Sequence, residues 1–134
     1  MSKLAERIPI VDLFAGPGGL SEGFSAFRNE KGGYPFDVRL SIEKDSAAHR
    51  TLMLRSLYWT WRDSVVPEAY YAVVRGELSL DELFSSTPEA ELSAMRCARN
   101  ATLGETPELV LDGWIKEAIG KSDPWILIGG PPCQ

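Results

Sequence analysis

Two short stretches of the 134-residue chain combine residue types that can do chemistry. The first covers residues 12–19 and reads Asp12-Leu13-Phe14-Ala15-Gly16-Pro17-Gly18-Gly19. Glycines at a strand-to-helix turn let backbone N–H groups come close to an anionic or polar ligand. Glu43 closes the next predicted strand, where folds of this kind set an acid against ribose hydroxyls. A glycine-rich turn alone specifies no ligand; the turn and the acid in register are more specific. The second stretch is Gly129-Gly130-Pro131-Pro132-Cys133-Gln134. A deprotonated cysteine is a good nucleophile, and prolines just before it stiffen the loop that aims its sulfur. Taken alone, a free cysteine is most often a small buried hydrophobe, so the pairing of the two stretches carries the reading.

The elements that must position these residues follow from hydrophobic pattern and punctuation. Residues 8–14 are rich in Ile, Val and Leu and read as a buried strand, which the glycines end. Leu20, Phe24 and Phe27 fall at helical spacing and predict a helix over 20–28. Phe36, Val38, Leu40 and Ile42 alternate with polar residues, a second strand ending at Glu43, and Asp45 is placed to cap a helix running to about residue 58. Strand, glycine turn, helix and strand in this order make the first half of a doubly wound α/β domain. The middle of the chain reads as helical. Ser79 and Glu82 have capping-box spacing, and Thr87-Pro88-Glu89 and Thr106-Pro107-Glu108 each set a cap residue before a first-turn proline. Gly120 is placed to end the last helix, and 125–128 is a short apolar strand leading into the second stretch. No confident strand appears between Ile42 and Trp125. Either one hides near 70–74 or, the preferred reading, a helical insertion occupies about 60–120.

Asp12-Leu13-Phe14-Ala15-Gly16-Pro17-Gly18-Gly19-Leu20 resembles the cofactor motif of the cytosine-C5 DNA methyltransferases. Gly129-Gly130-Pro131-Pro132-Cys133-Gln134 resembles that family's Pro-Cys-Gln nucleophile motif, and the order and strand context of the two match as well. The resemblance implies a Rossmann-like S-adenosylmethionine-dependent methyltransferase fold, here incomplete, with the helical insertion between the second strand and the nucleophile strand. It implies that Phe14 stacks on the adenine of S-adenosylmethionine, that the backbone of Ala15, Gly16, Gly18, Gly19 and Leu20 cradles its methionine part, and that Glu43 takes the ribose hydroxyls. Lys44 stands where the family often has an aromatic residue against the adenine. The family's next cofactor residue is an aspartate after a glycine; Gly104-Glu105 is the nearest candidate and is spaced too far from Cys133. The implied chemistry is covalent: the Cys133 thiolate adds to C6 of a flipped-out cytosine, and C5 then takes the methyl group. Pro132 and Gln134 would line the target pocket. In the family, a glutamate beyond the cysteine manages the proton at cytosine N3. On this reading residues 1–134 are the N-terminal part of a single catalytic domain whose target-recognition region is absent. The chain would then be inert alone, with DNA and a complementary C-terminal chain as its partners. A tRNA cytosine-5 methyltransferase and a non-catalytic S-adenosylmethionine-binding module are the alternatives.

Composition bounds these readings. A content of 44% hydrophobic and 25% charged residues is that of a globular protein and excludes a disordered tail, a collagen-like repeat and a membrane protein. With no secretory signal and only Cys97 and Cys133, a reducing, cytoplasmic compartment is expected. One histidine and two distant cysteines assemble no zinc site, so no metal is expected. His49 reads as a solvated helix residue and Cys97 as a packed one. Net charge is −5, with nine acids against three bases in residues 77–117, which offers no whole-surface grip on nucleic acid.

Overall fold

The computed structural model describes residues 6–131. Strand β1 (Ile8–Leu13) lies at its centre with a parallel neighbour on each side. One neighbour is β2 (Phe36–Glu43) and the other is β4 (Ile126–Gly129). A short strand, β3 (Ala98–Asn100), pairs with residues 41–43 of β2, so the order is β3-β2-β1-β4 with every pair parallel. A central parallel strand is covered on both faces and needs a continuous apolar run; residues 9–12 of β1 are all buried, as that requires.

Helices α1 (Gly19–Ala26) and α2 (Ser46–Thr60) follow β1 and β2. Asp45 caps α2, its carboxylate accepting from the Ala48 N–H at 2.7 Å. Three short helices come next: α3 (Glu68–Val74), α4 (Leu80–Ser86) and α5 (Pro88–Cys97). Ser79 and Glu82 form the reciprocal capping box of α4. After β3, helix α6 (Glu108–Ile119) ends at Gly120 and leads to β4. Side chains alternate across a strand, so the neighbours Ala98 and Arg99 face opposite sides of the sheet. Ala98 joins the core built by Leu52, Met53, Leu57, Leu83 and Ala94 from α2, α4 and α5. The second core gathers Val11, Leu40, Ile42 and Ala118, with Trp114 and Ile115 of α6 packed against it.

Four details depart from expectation. The span 60–120 is not helical throughout, because it contains β3. This strand is only Ala-Arg-Asn, too short to show a hydrophobic period. Residues 70–74, the alternative place considered for a strand, belong to α3, in line with the preferred helical reading there. Helix α6 makes the crossover from β3 to β4, so the helices in excess of a regular β–α alternation are α3, α4 and α5. On α1 the buried face is Ser21 and Ser25, while Leu20 and Phe27 are each 52% exposed and Phe24 and Phe27 lean on the Phe36 ring. The two serines line, with Ser41, a cavity of about 450 Å³. Finally, Thr87 and Thr106 do not cap by side chain. Their hydroxyls donate backwards to Leu83 O and Thr102 O, closing the preceding turns.

Candidate nucleoside site at the carboxyl edge of the sheet

The chain leaves β1 through a strained turn. Phe14 has φ +57°, in the left-handed region that a bulky residue enters at a cost of about 1–2 kcal/mol, and its ring is 42% exposed. The backbone after it is pinned: Ala15 N–H donates to Ile42 O at 2.9 Å and Gly18 N–H to Ala15 O at 3.1 Å. Gly18 has φ +92°, a conformation that favours glycine, and a Cβ there would lie 2.9 Å from Leu52 Cδ1 and push that side chain of α2 aside. Gly19 then opens α1, which has no side-chain cap at its N-terminus.

Glu43, the last residue of β2, ties this turn to the next. One carboxylate oxygen accepts from the Gly16 N–H at 2.7 Å and the other from the Asp45 N–H at 2.8 Å. A carboxylate has about four acceptor positions, so lone pairs remain for a ligand's hydroxyls. Its charge also sits on a backbone donor that a phosphate would need, which turns the loop away from phosphorylated ligands and towards neutral or cationic ones. Beyond Glu43, the Asn100 side-chain amide at the end of β3 donates to Glu43 O at 2.9 Å and Lys44 O at 3.0 Å. Carboxyl ends of three adjacent strands are thereby linked.

Asp12 lies beneath the turn, 1% exposed, with one carboxylate oxygen lacking a hydrogen-bond partner. Burial raises its pKa; the Ser21 hydroxyl beside it works in the opposite direction, and the charge of Glu43 adds to the rise. Its neighbour across the sheet, Ser41, is also 1% exposed and also unpartnered at its hydroxyl. On the far side of β1, Gly129 opposes Leu13, where a Cβ would come within 2.6 Å of Leu13 O. Glycine here lets β4 close onto β1 at the point where Gly130-Pro131 begins.

Of the residues expected at a cofactor, Phe14, Ala15, Gly16, Gly18, Gly19 and Glu43 converge on this edge. Ala15 is buried and contributes backbone only. Leu20 sits exposed on the first turn of α1, and Lys44 is exposed just past β2. Pro132, Cys133 and Gln134 lie outside the described residues, as does their geometry relative to the loop. Two participants were not singled out from sequence. Asp12 belonged to the motif without a role of its own, and its burial beside Ser41 emerges only from strand register. Asn100 had no signal, because the strand that delivers it is too short to read. His49, expected to be solvated, is half-buried with Nε2 3.1 Å from Ala98 O, tying α2 to β3. Glu105 lies in the exposed turn between β3 and α6.

The four-stranded all-parallel sheet with its helices is an α/β architecture compatible with a Rossmann-like fold. No family model, curated protein or solved structure matches the chain. Among the described residues, no helix is long and apolar enough to cross a membrane, and no group of three or more His, Cys, Asp or Glu could hold a metal ion.

Proposed function

We propose that this chain is the cofactor-binding and nucleophile-bearing part of an S-adenosylmethionine-dependent enzyme that methylates C5 of cytosine in DNA. The observation that carries the reading is the pairing, at one sheet edge, of an exposed Phe14 ring on strained backbone with a Glu43 carboxylate anchored to Gly16. Strain of this kind persists where surrounding structure holds it and clusters at ligand clamps. The residues suit the cofactor. A flat aromatic face meets an adenine, acceptors on Glu43 meet two ribose hydroxyls, and acidic surroundings favour a sulfonium over a phosphate. Bound there, S-adenosylmethionine supplies an electrophilic methyl group. In this reading the Cys133 thiolate adds to C6 of a cytosine swung out of the duplex, which makes C5 nucleophilic. Pro132 and Gln134 border the base.

Calorimetric titration of S-adenosylmethionine into the chain and into Glu43→Ala tests the cofactor half. Loss of the hydrogen bonds that two hydroxyls donate to a charged acceptor costs about 1.5–3 kcal/mol, a weakening of roughly ten- to a hundredfold. Equal affinities would reduce Glu43 to a structural tie. The nucleophile half is tested with 5-fluorocytosine-containing DNA in the presence of cofactor, with and without a C-terminal segment supplied in trans, where a covalent adduct is expected for the parent and none for Cys133→Ser. Substituting tRNA for DNA in the same assay separates the two nucleic-acid substrates.

A further inference from the structure

We infer that Asn100 is a positioning residue for the candidate nucleoside site, acting on the glycine loop through Glu43 without touching a ligand. The connection is continuous in hydrogen bonds. Asn100 Nδ2 donates to both Glu43 O and Lys44 O, at 2.9 and 3.0 Å, and Ala101 N–H adds a third link to Glu43 O at 3.1 Å. These hold the end of β2 where it turns into α2. The Glu43 carboxylate then reaches in two directions, to Asp45 N–H within the turn and to Gly16 N–H across β1. Both partners of the Asn100 amide are carbonyl oxygens, so its NH2 end must face them, and no acceptor-only side chain can replace it. The register of the sheet supports the same role. Asn100 pairs with Glu43 as the last residue of each strand, so β3 is anchored to β2 where the site needs it. Among the described residues, no strand pairs with the rest of the outer edge of β2. There the carbonyls of Phe36 and Val38 accept instead from Arg62 and from the Cys97 thiol.

The effect on the loop stands on geometry alone; the effect on cofactor affinity rests on the proposed function. The test uses the full chain with Asn100→Ala and Asn100→Asp. The second variant is isosteric but sets a carboxylate against two carbonyl oxygens. Amide hydrogen exchange and chemical shifts are read by NMR. Exchange at Gly16 and Asp45 should rise about tenfold or more, since their shared acceptor is no longer held, and more in Asn100→Asp than in Asn100→Ala. Ala15, whose N–H bonds Ile42 O rather than Glu43, and the interior amides of β1 should keep their parent rates. Uniform acceleration across β1 and β2 would mean general destabilisation and would overturn the proposal, as would unchanged exchange at Gly16. If Asn100→Asp fails to fold, Asn100→Ala decides the question by the same readout. In parallel, S-adenosylmethionine affinity should fall about tenfold in each folded variant. Parent affinity retained in both would overturn the link to the ligand. A parent chain that takes up no S-adenosylmethionine would instead overturn the proposed function, leaving the Gly16 signature to decide the role of Asn100.

Discussion

Phe14 has two properties that mutation separates. Its φ of +57° costs conformational energy, and its exposed ring is available to a flat ligand. Phe14→Gly should therefore leave stability unchanged or raise it by up to about 1 kcal/mol, while weakening S-adenosylmethionine roughly tenfold. Thermal unfolding and calorimetry on one sample measure the two effects, and a loss of both would show that the ring is needed for folding. Asp12 has a different dependence. Because burial raises its carboxyl pKa above the ordinary 3.8, the folded state holds that proton more firmly than the unfolded chain does. Its contribution to stability is full below 3.8, declines as pH rises towards the folded value, and stays lower above it. Asp12→Asn should flatten that decline and be at least as stable as the parent at pH 7, as chemical denaturation across pH 3–7 would reveal. Both residues were legible as motif members. Their burial, strain and partners were not, since these depend on which side chains neighbouring strands bring alongside.

At the scale of elements, legibility followed length. β1, β2 and β4 showed clear periods or continuous apolar runs, α2 was marked by its cap Asp45, and the capping box of α4 needed only two residues at the right spacing. β3 has three residues and no such pattern, and Asn100 was hidden with it. The stripe read on α1 failed for a physical reason: the sheet beneath presents Asp12 and Ser41, so serines face it and the phenylalanines lean towards Phe36 instead. Junctions between elements are where small changes should tell most. Gly129→Ala puts a methyl group against Leu13 O and should cost about 1–3 kcal/mol, with the β1–β4 amides losing exchange protection before those of β1–β2. Ser79→Ala, by contrast, removes a cap distant from the sheet edge. It should cost about 1 kcal/mol in denaturant unfolding and leave cofactor affinity untouched.

At the scale of the whole molecule, charge is unevenly placed. The net of −6 over residues 77–117 falls largely on α4, α5 and α6, and the remainder of the chain is close to neutral. Non-specific attraction to a polyanion depends on released counterions, so fluorescence anisotropy with a DNA duplex at 0.15 M salt should show no saturation below about 10 µM. Tighter binding would reveal a basic face that the sequence does not advertise.

The tie between Cys97 and the bare edge of β2 has a practical side. Its thiol donates to Val38 O at 3.2 Å, and burial pushes its pKa up to about 11. Thiolate is the reactive form, so at pH 7.5 well under about 0.1% of this group is ready to react. The native chain should then behave towards maleimides and iodoacetamide as though Cys133, its only other thiol, were its sole cysteine. A single equivalent of reagent would then label, and block, the proposed nucleophile itself without first mutating the chain, and rapid uptake of a second equivalent would report that the outer edge of β2 has opened.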